Sequence, residues 1–176
     1  MLWGREGRDA VDTSHTKRQD LADYIVGGQT DFYRLAYSYV KDRETALDIV
    51  QESVVKALTK VDSLREPAYM KTWFYRILIN ECMNTFRHSR RLVSYDEVME
   101  QRPAPERDEA ERLDLYDAID RLGEKEQTII RLRFFEDMKL EEISRATGTN
   151  LNTVKTRLYK GLRQLKALTG EELSDG

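Results

Sequence analysis

Residues 140–166 read LEEISRATGTNLNTVKTRLYKGLRQLK, and they decide the fold of the region in which they lie. Apolar side chains recur at helical spacing on both sides of Gly148, which predicts two short amphipathic helices. The glycine supplies the backbone freedom for a tight corner, and Asn150 is a preferred N-cap residue for the helix that follows. The stretch therefore predicts a helix-turn-helix.

The second predicted helix carries only positive charge. No acidic residue occurs between Thr149 and Lys166, and polar Asn152 and Thr153 stand in the first turn. Such a helix suits the major groove of duplex DNA, where basic side chains contact phosphates and polar ones contact base edges. The alternative is an amphipathic helix with a solvated basic face that binds nothing in particular. The glycine corner, the N-cap and the polar first turn together favour DNA binding.

The composition predicts an all-α protein. The chain has 176 residues, of which only 9 are glycine and 3 proline, and 35% are charged, with a mean hydropathy of −0.68. Leu, Glu, Arg, Lys and Ala dominate, and these residues favour helices. The high charged fraction fits small helical domains with much surface relative to core, and the length allows one ordinary domain or two small ones.

Charge and cysteine content exclude several classes of protein. A net charge of −3 argues against a protein whose whole surface binds DNA, so DNA contacts must be confined to basic patches. The single cysteine, Cys82, excludes an internal disulfide and a cysteine-based zinc site, and we expect no metal or cofactor. No apolar run approaches a membrane span and no signal-peptide core is present, so we expect a cytoplasmic protein without membrane insertion.

The N-terminal half begins with a polar segment, residues 1–18, which predicts a flexible leader. Helical periodicity starts near Asp20, and Gly27 and Gly28 are predicted to stop a first short helix. Residues 41–61, KDRETALDIVQESVVKALTKV, then predict an amphipathic helix with its exposed acidic residues near the N-terminal end. This acidic surface is either ordinary helix-dipole electrostatics or a docking surface for a basic partner.

Residues 71–93, KTWFYRILINECMNTFRHSRRLV, form the second distinctive stretch. The predicted helix is apolar almost all round, so much of it must be core, and we assume a packing role for Phe74 and Phe86. Aromatic and basic side chains interleaved with Asn80 and Asn84 also suit single-stranded nucleic acid. Rings stack on bases, amides contact base edges and guanidinium groups contact phosphates.

Residues 94–112, SYDEVMEQRPAPERDEAER, predict a flexible acidic linker because they combine many charges with two prolines. They divide the chain into a first domain at 19–93 and a second domain at 113–170, with a tail at 171–176.

The chain contains no glycine-rich phosphate loop and no distinctive constellation of Ser, Cys or His, so an enzyme is not expected. Two DNA-suited patches joined by a tether suggest a protein that contacts two separated DNA elements at once.

Four stretches, in this order and spacing, resemble a known family: FYRLAYSYV, ALDIVQESVVKAL, TWFYRILINECMNTFRHSRR and EEISRATGTNLNTVKTRLYKGLRQLK. They are similar to bacterial RNA polymerase sigma factors of the extracytoplasmic-function type, the small sigma-70 relatives that keep only the second and fourth sigma domains. The resemblance covers residues 20–168. It implies promoter recognition, melting of the −10 element and transcription initiation. The chain departs from the family at Gly123, where a proline is common, and at Asn84, where an aspartate is frequent and promoter contacts are affected.

The resemblance also implies residue roles and partners. The residues implied to dock on the clamp helices of the largest polymerase subunit are Asp48, Gln51 and Glu52. The residues implied to recognise and melt the −10 element are Trp73, Tyr75, Arg76, Asn80, Asn84, Arg87, Arg90 and Arg91. The residues implied to contact the −35 element are Asn152, Thr153, Lys155, Thr156, Arg157 and Lys160, with Arg163 better suited to a phosphate contact. The implied partners are core RNA polymerase, through the clamp helices and the flap, promoter DNA and an anti-sigma factor.

Two other functions fit parts of the sequence. The first is an autonomous helix-turn-helix regulator whose N-terminal domain senses a ligand or dimerises. The second is a helical adaptor or anti-terminator that acts on RNA, although it leaves the basic C-terminal helix unexplained. The acidic net charge favours a sigma factor, because polymerase supplies additional affinity and two tethered DNA contacts reinforce one another.

Overall fold

A computed structural model describes residues 6–93 and 107–170, and the regular structure of these residues is entirely helical. The helices are α1 (Glu6–Val40), α2 (Arg43–Lys60), α3 (Met70–Val93), α4 (Arg107–Asp120), α5 (Glu124–Phe134), α6 (Leu140–Thr147) and α7 (Leu151–Thr169). Two short 3₁₀ helices, Val61–Ser63 and Pro67–Tyr69, connect α2 to α3. The predicted all-α class is confirmed.

Helices α1, α2 and α3 pack around a shared aromatic core. The ring centroids of Phe32 and Phe74 lie 4.7 Å apart, and both side chains are fully buried. The prediction that Gly27 and Gly28 end a helix is wrong, because α1 continues through both. A Cβ atom at Gly28 would come within 2.3 Å of the Phe32 ring, so this glycine makes room for the ring one helical turn later. Burial of the aromatic side chain outweighs the low helix propensity of glycine.

Two predicted segment boundaries also differ from the structure. Helix α1 begins at Glu6, inside the predicted leader, and its Lys17 ammonium donates a hydrogen bond to the Leu64 carbonyl at 2.9 Å. Helix α4 begins at Arg107, inside the predicted linker, with acidic Asp108 and Glu109 in its first turn, where they favour the helix dipole. Residues 1–5, 94–106 and 171–176, which hold the rest of the leader, the rest of the linker and the tail, lie outside the described residues.

Helices α4 to α7 pack around Ile119, Leu132, Ile143 and Val154, each at most 1% exposed. The predicted helix-turn-helix is present in α6 and α7. Helix α6 ends at Thr147 and is capped by Gly148, which has a left-handed φ of 65°. The Asn150 side chain accepts a hydrogen bond from the Thr153 amide at 2.9 Å. These two local features set the angle between the helices and fix the direction in which α7 projects.

Candidate polymerase and nucleic-acid interfaces

Helix α2 exposes the predicted docking residues Asp48, Gln51 and Glu52 on one surface. The apolar side chains of Leu47 and Val55, 41% and 59% exposed, flank them and were missed by the sequence analysis. Residues 47, 51 and 55 recur every fourth position, which is the spacing of one helix face and could have revealed them. The surface combines negative charge with exposed apolar area, so it suits a basic partner that also makes apolar contacts.

The eight residues predicted to contact the −10 element do not share one face of α3. At about 100° per residue, Trp73, Asn80, Asn84 and Arg91 project from the same side of the helix. Asn80, Asn84 and Arg91 are exposed, and Trp73 is partly buried. This row places a ring, two amides and a guanidinium group along one accessible edge, and we call it the open row.

Three other members of the predicted set contact the second helical domain. The hydroxyl group of Tyr75, a buried residue, donates a hydrogen bond to Glu136. Arg76 donates to the carbonyl oxygens of Arg145 and Ala146, with a distance of 3.3 Å from its Nε to the Ala146 oxygen. Arg87 makes a two-pronged ion pair with Glu124, whose shortest contact is 2.7 Å.

The last member, Arg90, lies with its guanidinium carbon 5.1 Å from the centre of the Phe86 ring. The ring contact leaves the residue exposed, so its charge stays available at the C-terminal end of α3. Of the eight residues, therefore, Tyr75, Arg76 and Arg87 contact the second domain, Tyr75 as a buried residue and the two arginines as exposed ones. The open row and Arg90 lie at positions that are exposed or, for Trp73, partly buried.

A cavity of about 380 Å³ lies beside Trp73, and Tyr69, Arg65, Arg76 and Arg145 contribute to its wall. The Arg145 guanidinium carbon lies 5.0 Å from the centre of the Tyr69 ring. Rings and guanidinium groups are the partners that an unstacked base and its phosphate require. The sequence analysis missed Arg65 and Tyr69, although the basic and aromatic pattern of α3 extends upstream to them across Pro67.

The predicted −35 residues lie on or beside the solvent-facing side of α7. Asn152, Lys155, Thr156, Lys160 and Arg163 are exposed, whereas Thr153 and Arg157 are partly buried. The Lys160 ammonium is paired with Glu126 at 3.0 Å, which draws this residue toward α5. Tyr159, 61% exposed, shares the face of Asn152 and Arg163 and was missed. Its position seven residues after Asn152, two helical turns along, is the signal that could have revealed it.

Burial and charge shift the pKa of several groups in and around these surfaces. Burial, reinforced by nearby Asp31, raises the pKa of Glu136 to about 7. Burial and the neighbouring Glu136 carboxylate also raise the pKa of Tyr75. The hydrogen bonds from Arg87 lower the pKa of Glu124. Burial raises the pKa of the Cys82 thiol, which is 0% exposed, so this cysteine packs in the core as an unreactive thiol.

Two further classes of site were sought in the part of the chain that the structure describes. Its side chains include no group of three or more His, Cys, Asp or Glu residues that could hold a metal ion. Its helices include none with the length and apolar character needed to cross a membrane.

A helical domain with an aromatic and basic helix, followed by a helical domain with a helix-turn-helix, is the organisation of a sigma-type transcription initiation factor. Residues 29–92 match the family described as sigma-70 region 2, and residues 112–165 match sigma-70, region 4. The chain is 47% identical over 161 residues to RNA polymerase sigma factor SigV of Bacillus subtilis, covering 90% of this chain and 97% of that protein. It is 26% identical over 163 residues to the ECF RNA polymerase sigma factor SigW of the same organism, covering 83% and 87%.

The chain therefore belongs to the sigma-70 family of RNA polymerase sigma factors, in the extracytoplasmic-function group. Two solved structures share its fold. CnrH, in complex with the cytosolic domain of CnrY, aligns with a TM-score of 0.71 at 18% identity and covers 95% of this chain and 96% of that chain. The sigma factor RpoE, in complex with the anti-sigma factor NepR from Bartonella quintana, aligns with a TM-score of 0.67 at 22% identity, covering 88% and 99%.

Proposed function

We propose that this sigma factor contacts two separated promoter elements, the −10 element through α3 and the −35 element through α7. The observation that carries the proposal is the pairing of an open row on α3 with an exposed basic face on α7, in a chain whose net charge is −3. Because the rest of the surface is acidic on balance, DNA affinity must concentrate at these two places.

Melting of the −10 element relies on capture of unpaired bases. The cavity beside Trp73 supplies aromatic planes and guanidinium groups for a base that has left the stack. Asn80 and Asn84 offer amides to neighbouring base edges, and Arg91 offers a charge to the backbone. Binding of the single strand stabilises the melted state, so strand opening requires no ATP.

The −35 element is read in the major groove by the exposed face of α7. Asn152 and Thr156 stand near the N-terminal end of the helix, the part that meets base edges in helix-turn-helix proteins. Lys155, Arg157 and Lys160 add base or phosphate contacts, and Arg163, further along, contacts phosphate. The backbone amide of Thr153 donates to the Asn150 cap, so a DNA contact by this residue falls to its side-chain hydroxyl group.

Core RNA polymerase docks on the α2 surface around Asp48, Gln51 and Glu52, through the clamp helices of its largest subunit, and the second domain contacts the flap. The protein acts in the cytoplasm with the polymerase and has no catalytic activity of its own. An anti-sigma factor is a further expected partner, since the sigma factor RpoE, which shares the fold, was solved with the anti-sigma factor NepR.

In vitro transcription with core RNA polymerase tests this function. Promoters are first selected by sequencing the transcripts that accumulate when the protein is overproduced. We expect initiation from these promoters only when core enzyme and this protein are both present. Absence of promoter-specific initiation from every selected promoter would contradict the proposal. Tight binding of the isolated protein to an operator without polymerase would favour an autonomous regulator.

A further inference from the structure

A cavity of about 870 Å³ lies between α1 and α4, and none of the residues that line it belongs to the sites described above. Aromatic rings contribute to its wall from Tyr33 and Tyr37 of α1, from Tyr116 of α4 and from Phe135, which follows α5. All four residues are only partly buried, so they keep surface that a ligand can contact. The volume is within the range of cavities that hold small organic ligands.

The four rings form two pairs. Tyr33 and Tyr37 lie one helical turn apart on α1, with their ring centroids 6.0 Å apart. The centroids of Tyr116 and Phe135 lie 5.6 Å apart, and these two rings are tilted by 67°. Helix α1 thus supplies one pair, and α4 with Phe135 supplies the other. A planar aromatic ligand in the cavity can therefore make stacking or edge contacts with rings from both helices.

Three arginines add positive charge to the same cavity: Arg34 of α1, Arg43 of α2 and Arg112 of α4. Neither Arg43 nor Arg112 makes an ion pair or a side-chain hydrogen bond with any residue that the structure describes. Arg34 has one ion pair, at 3.9 Å from Asp31, and both of these side chains are largely exposed, so the pair is weak. Burial raises the pKa of Tyr116, and the charges of Arg112 and Arg34 oppose this rise, which indicates that both guanidinium groups lie near this ring.

The charges of the cavity differ between its two ends. Asp108 and Glu109 belong to its wall and lie in the first turn of α4. Lys41, two residues before Arg43, pairs with Asp120, the last residue of α4. Asp108 and Asp120 are about 18 Å apart along the helix. The two carboxylates of the wall therefore lie toward one end of the cavity, and Arg43 lies toward the other.

We propose that this cavity binds a nucleoside polyphosphate whose base carries an amino group. The base contacts the aromatic rings, and its amino group donates to Asp108 or Glu109. The phosphates extend toward Arg43, and Arg34 and Arg112 add further guanidinium groups, whose planar forks match phosphate oxygens. The site is additional to the proposed polymerase and promoter contacts.

Each part of this ligand uses a different feature of the wall. An inorganic phosphate would leave the four rings without a partner, and an aromatic compound without phosphates would leave the guanidinium groups without one. Base, amino group and phosphates together use rings, carboxylates and guanidinium groups. The proposal therefore accounts for all three kinds of side chain in one cavity.

The test measures nucleotide binding by the full-length protein in the absence of DNA and polymerase. The probe is ATP with a fluorescent label on its ribose, and its anisotropy reports binding in competition with unlabelled compounds. Arg43→Ala and Arg112→Ala each remove one guanidinium group from the cavity. Arg121→Ala removes an exposed arginine that lies outside the cavity wall and serves as the matched control. Circular dichroism checks that each variant is folded.

We expect saturable binding of the probe, which unlabelled ATP reverses. Arg43→Ala and Arg112→Ala should each weaken the affinity by about tenfold, the effect of losing a hydrogen bond between charged groups, whereas Arg121→Ala should bind like wild type. Adenosine and tripolyphosphate should each compete much more weakly than ATP, because each lacks one part of the ligand. UTP, whose base has no amino group, should compete more weakly than CTP.

Four results would overturn the proposal. One is the absence of saturable binding by ATP, GTP and CTP up to about 1 mM. An equal loss of affinity in Arg121→Ala and the two cavity variants would show attraction to positive charge in general. Competition by tripolyphosphate as strong as that by ATP would show an anion site only, and competition by UTP as strong as that by CTP would exclude the contact with the carboxylates.

A nucleic-acid strand is distinguished by a separate measurement. The competitor is a random-sequence single-stranded DNA whose bases and phosphates resemble those of the nucleotide. We expect it to displace the probe poorly, and its own binding should be insensitive to Arg112→Ala. Strong displacement that Arg112→Ala abolishes would instead assign the cavity to the nucleic-acid surface.

Discussion

The Tyr75 hydroxyl donates a hydrogen bond to the Glu136 carboxylate across the boundary between the two domains. Tyr75 is buried on α3, and Glu136 lies between α5 and α6. Asp31 adds negative charge near both residues of this pair, and Lys71 and Arg34 add positive charge near Glu136. Burial at this contact raises the pKa of Glu136 to about 7, so its protonation is coupled to the packing of the domains.

The first prediction concerns pH. Because the pKa of Glu136 rises from 4.5 to about 7 on packing, the packed state binds this proton more tightly than the unfolded state does. The stabilisation is complete below about pH 4.5 and is lost as the pH rises through about 7. It is worth on the order of 3 kcal/mol at most. Glu136→Gln mimics the protonated side chain and should flatten this part of the pH profile, measured by urea unfolding between about pH 5 and pH 8. An identical pH profile in wild type and variant would contradict the assignment to Glu136.

The second prediction concerns the two adjacent glycines of α1. A methyl group at Gly28 would meet the Phe32 ring at 2.3 Å, so Gly28→Ala should lower the free energy of unfolding by about 1–3 kcal/mol. Gly27 has nothing within 4 Å of the added atom, so Gly27→Ala should raise the free energy of unfolding by about 0.4–1 kcal/mol. Urea unfolding measures both variants. Equal changes in the free energy of unfolding at the two positions would show that backbone propensity, and not contact with the Phe32 ring, determines the effect of the substitution.

The third prediction concerns the α2 docking surface. Asp48→Arg combined with Glu52→Arg should weaken binding to core polymerase, because the variant presents positive charge where a basic partner is expected. Asp20→Arg combined with Asp23→Arg makes the same net charge change at exposed positions of α1 and should have little effect. Affinity is measured by pull-down with labelled core enzyme. If both double variants bind like wild type, the docking surface lies elsewhere.

The fourth prediction concerns strand opening. Trp73→Ala should reduce permanganate reactivity of −10 thymines in the promoter complex, because it removes an aromatic wall of the cavity. Binding to the −35 element should be unaffected. A template with mismatched, already unpaired bases at the −10 element should restore much of the transcription. A defect of the same size on both templates would place the role of Trp73 in binding or folding instead of melting.

The fifth prediction separates base contacts from phosphate contacts on α7. Arg157→Ala should weaken use of the cognate −35 element by about 1–3 kcal/mol if the side chain reads a base. Arg163→Ala should weaken binding to cognate and scrambled elements alike, as expected of a phosphate contact. Competition binding by the polymerase complex measures both variants. An equal loss for Arg157→Ala on scrambled DNA would assign this residue to phosphate as well.

Local sequence was sufficient for the elements whose signals lie within a few residues of one another. The α6 and α7 pair followed from Gly148 and Asn150, and the structure shows the left-handed turn and the side-chain cap at these positions. The same local rules were wrong at Gly27 and Gly28. Burial of Phe32 against Phe74, on a different helix, keeps α1 continuous there.

The candidate site was partly predictable for the same reason. The exposed character of Asp48 followed from helical spacing, because it depends on one helix face. Tyr159 was predictable in the same way and was overlooked. The division of the α3 residues was not predictable, because it depends on where the second domain packs.

The sequence by itself therefore determined the all-α class, the helix-turn-helix and the family, since composition, caps and ordered motifs can be recognised without knowing how the helices pack. Only the tertiary structure decided which α3 residues contact the second domain. Tyr75 and Glu136 are 61 positions apart, and Arg131 and Ser38 are 93 positions apart. Contacts over such separations arise from packing between domains, and no helical period encodes them.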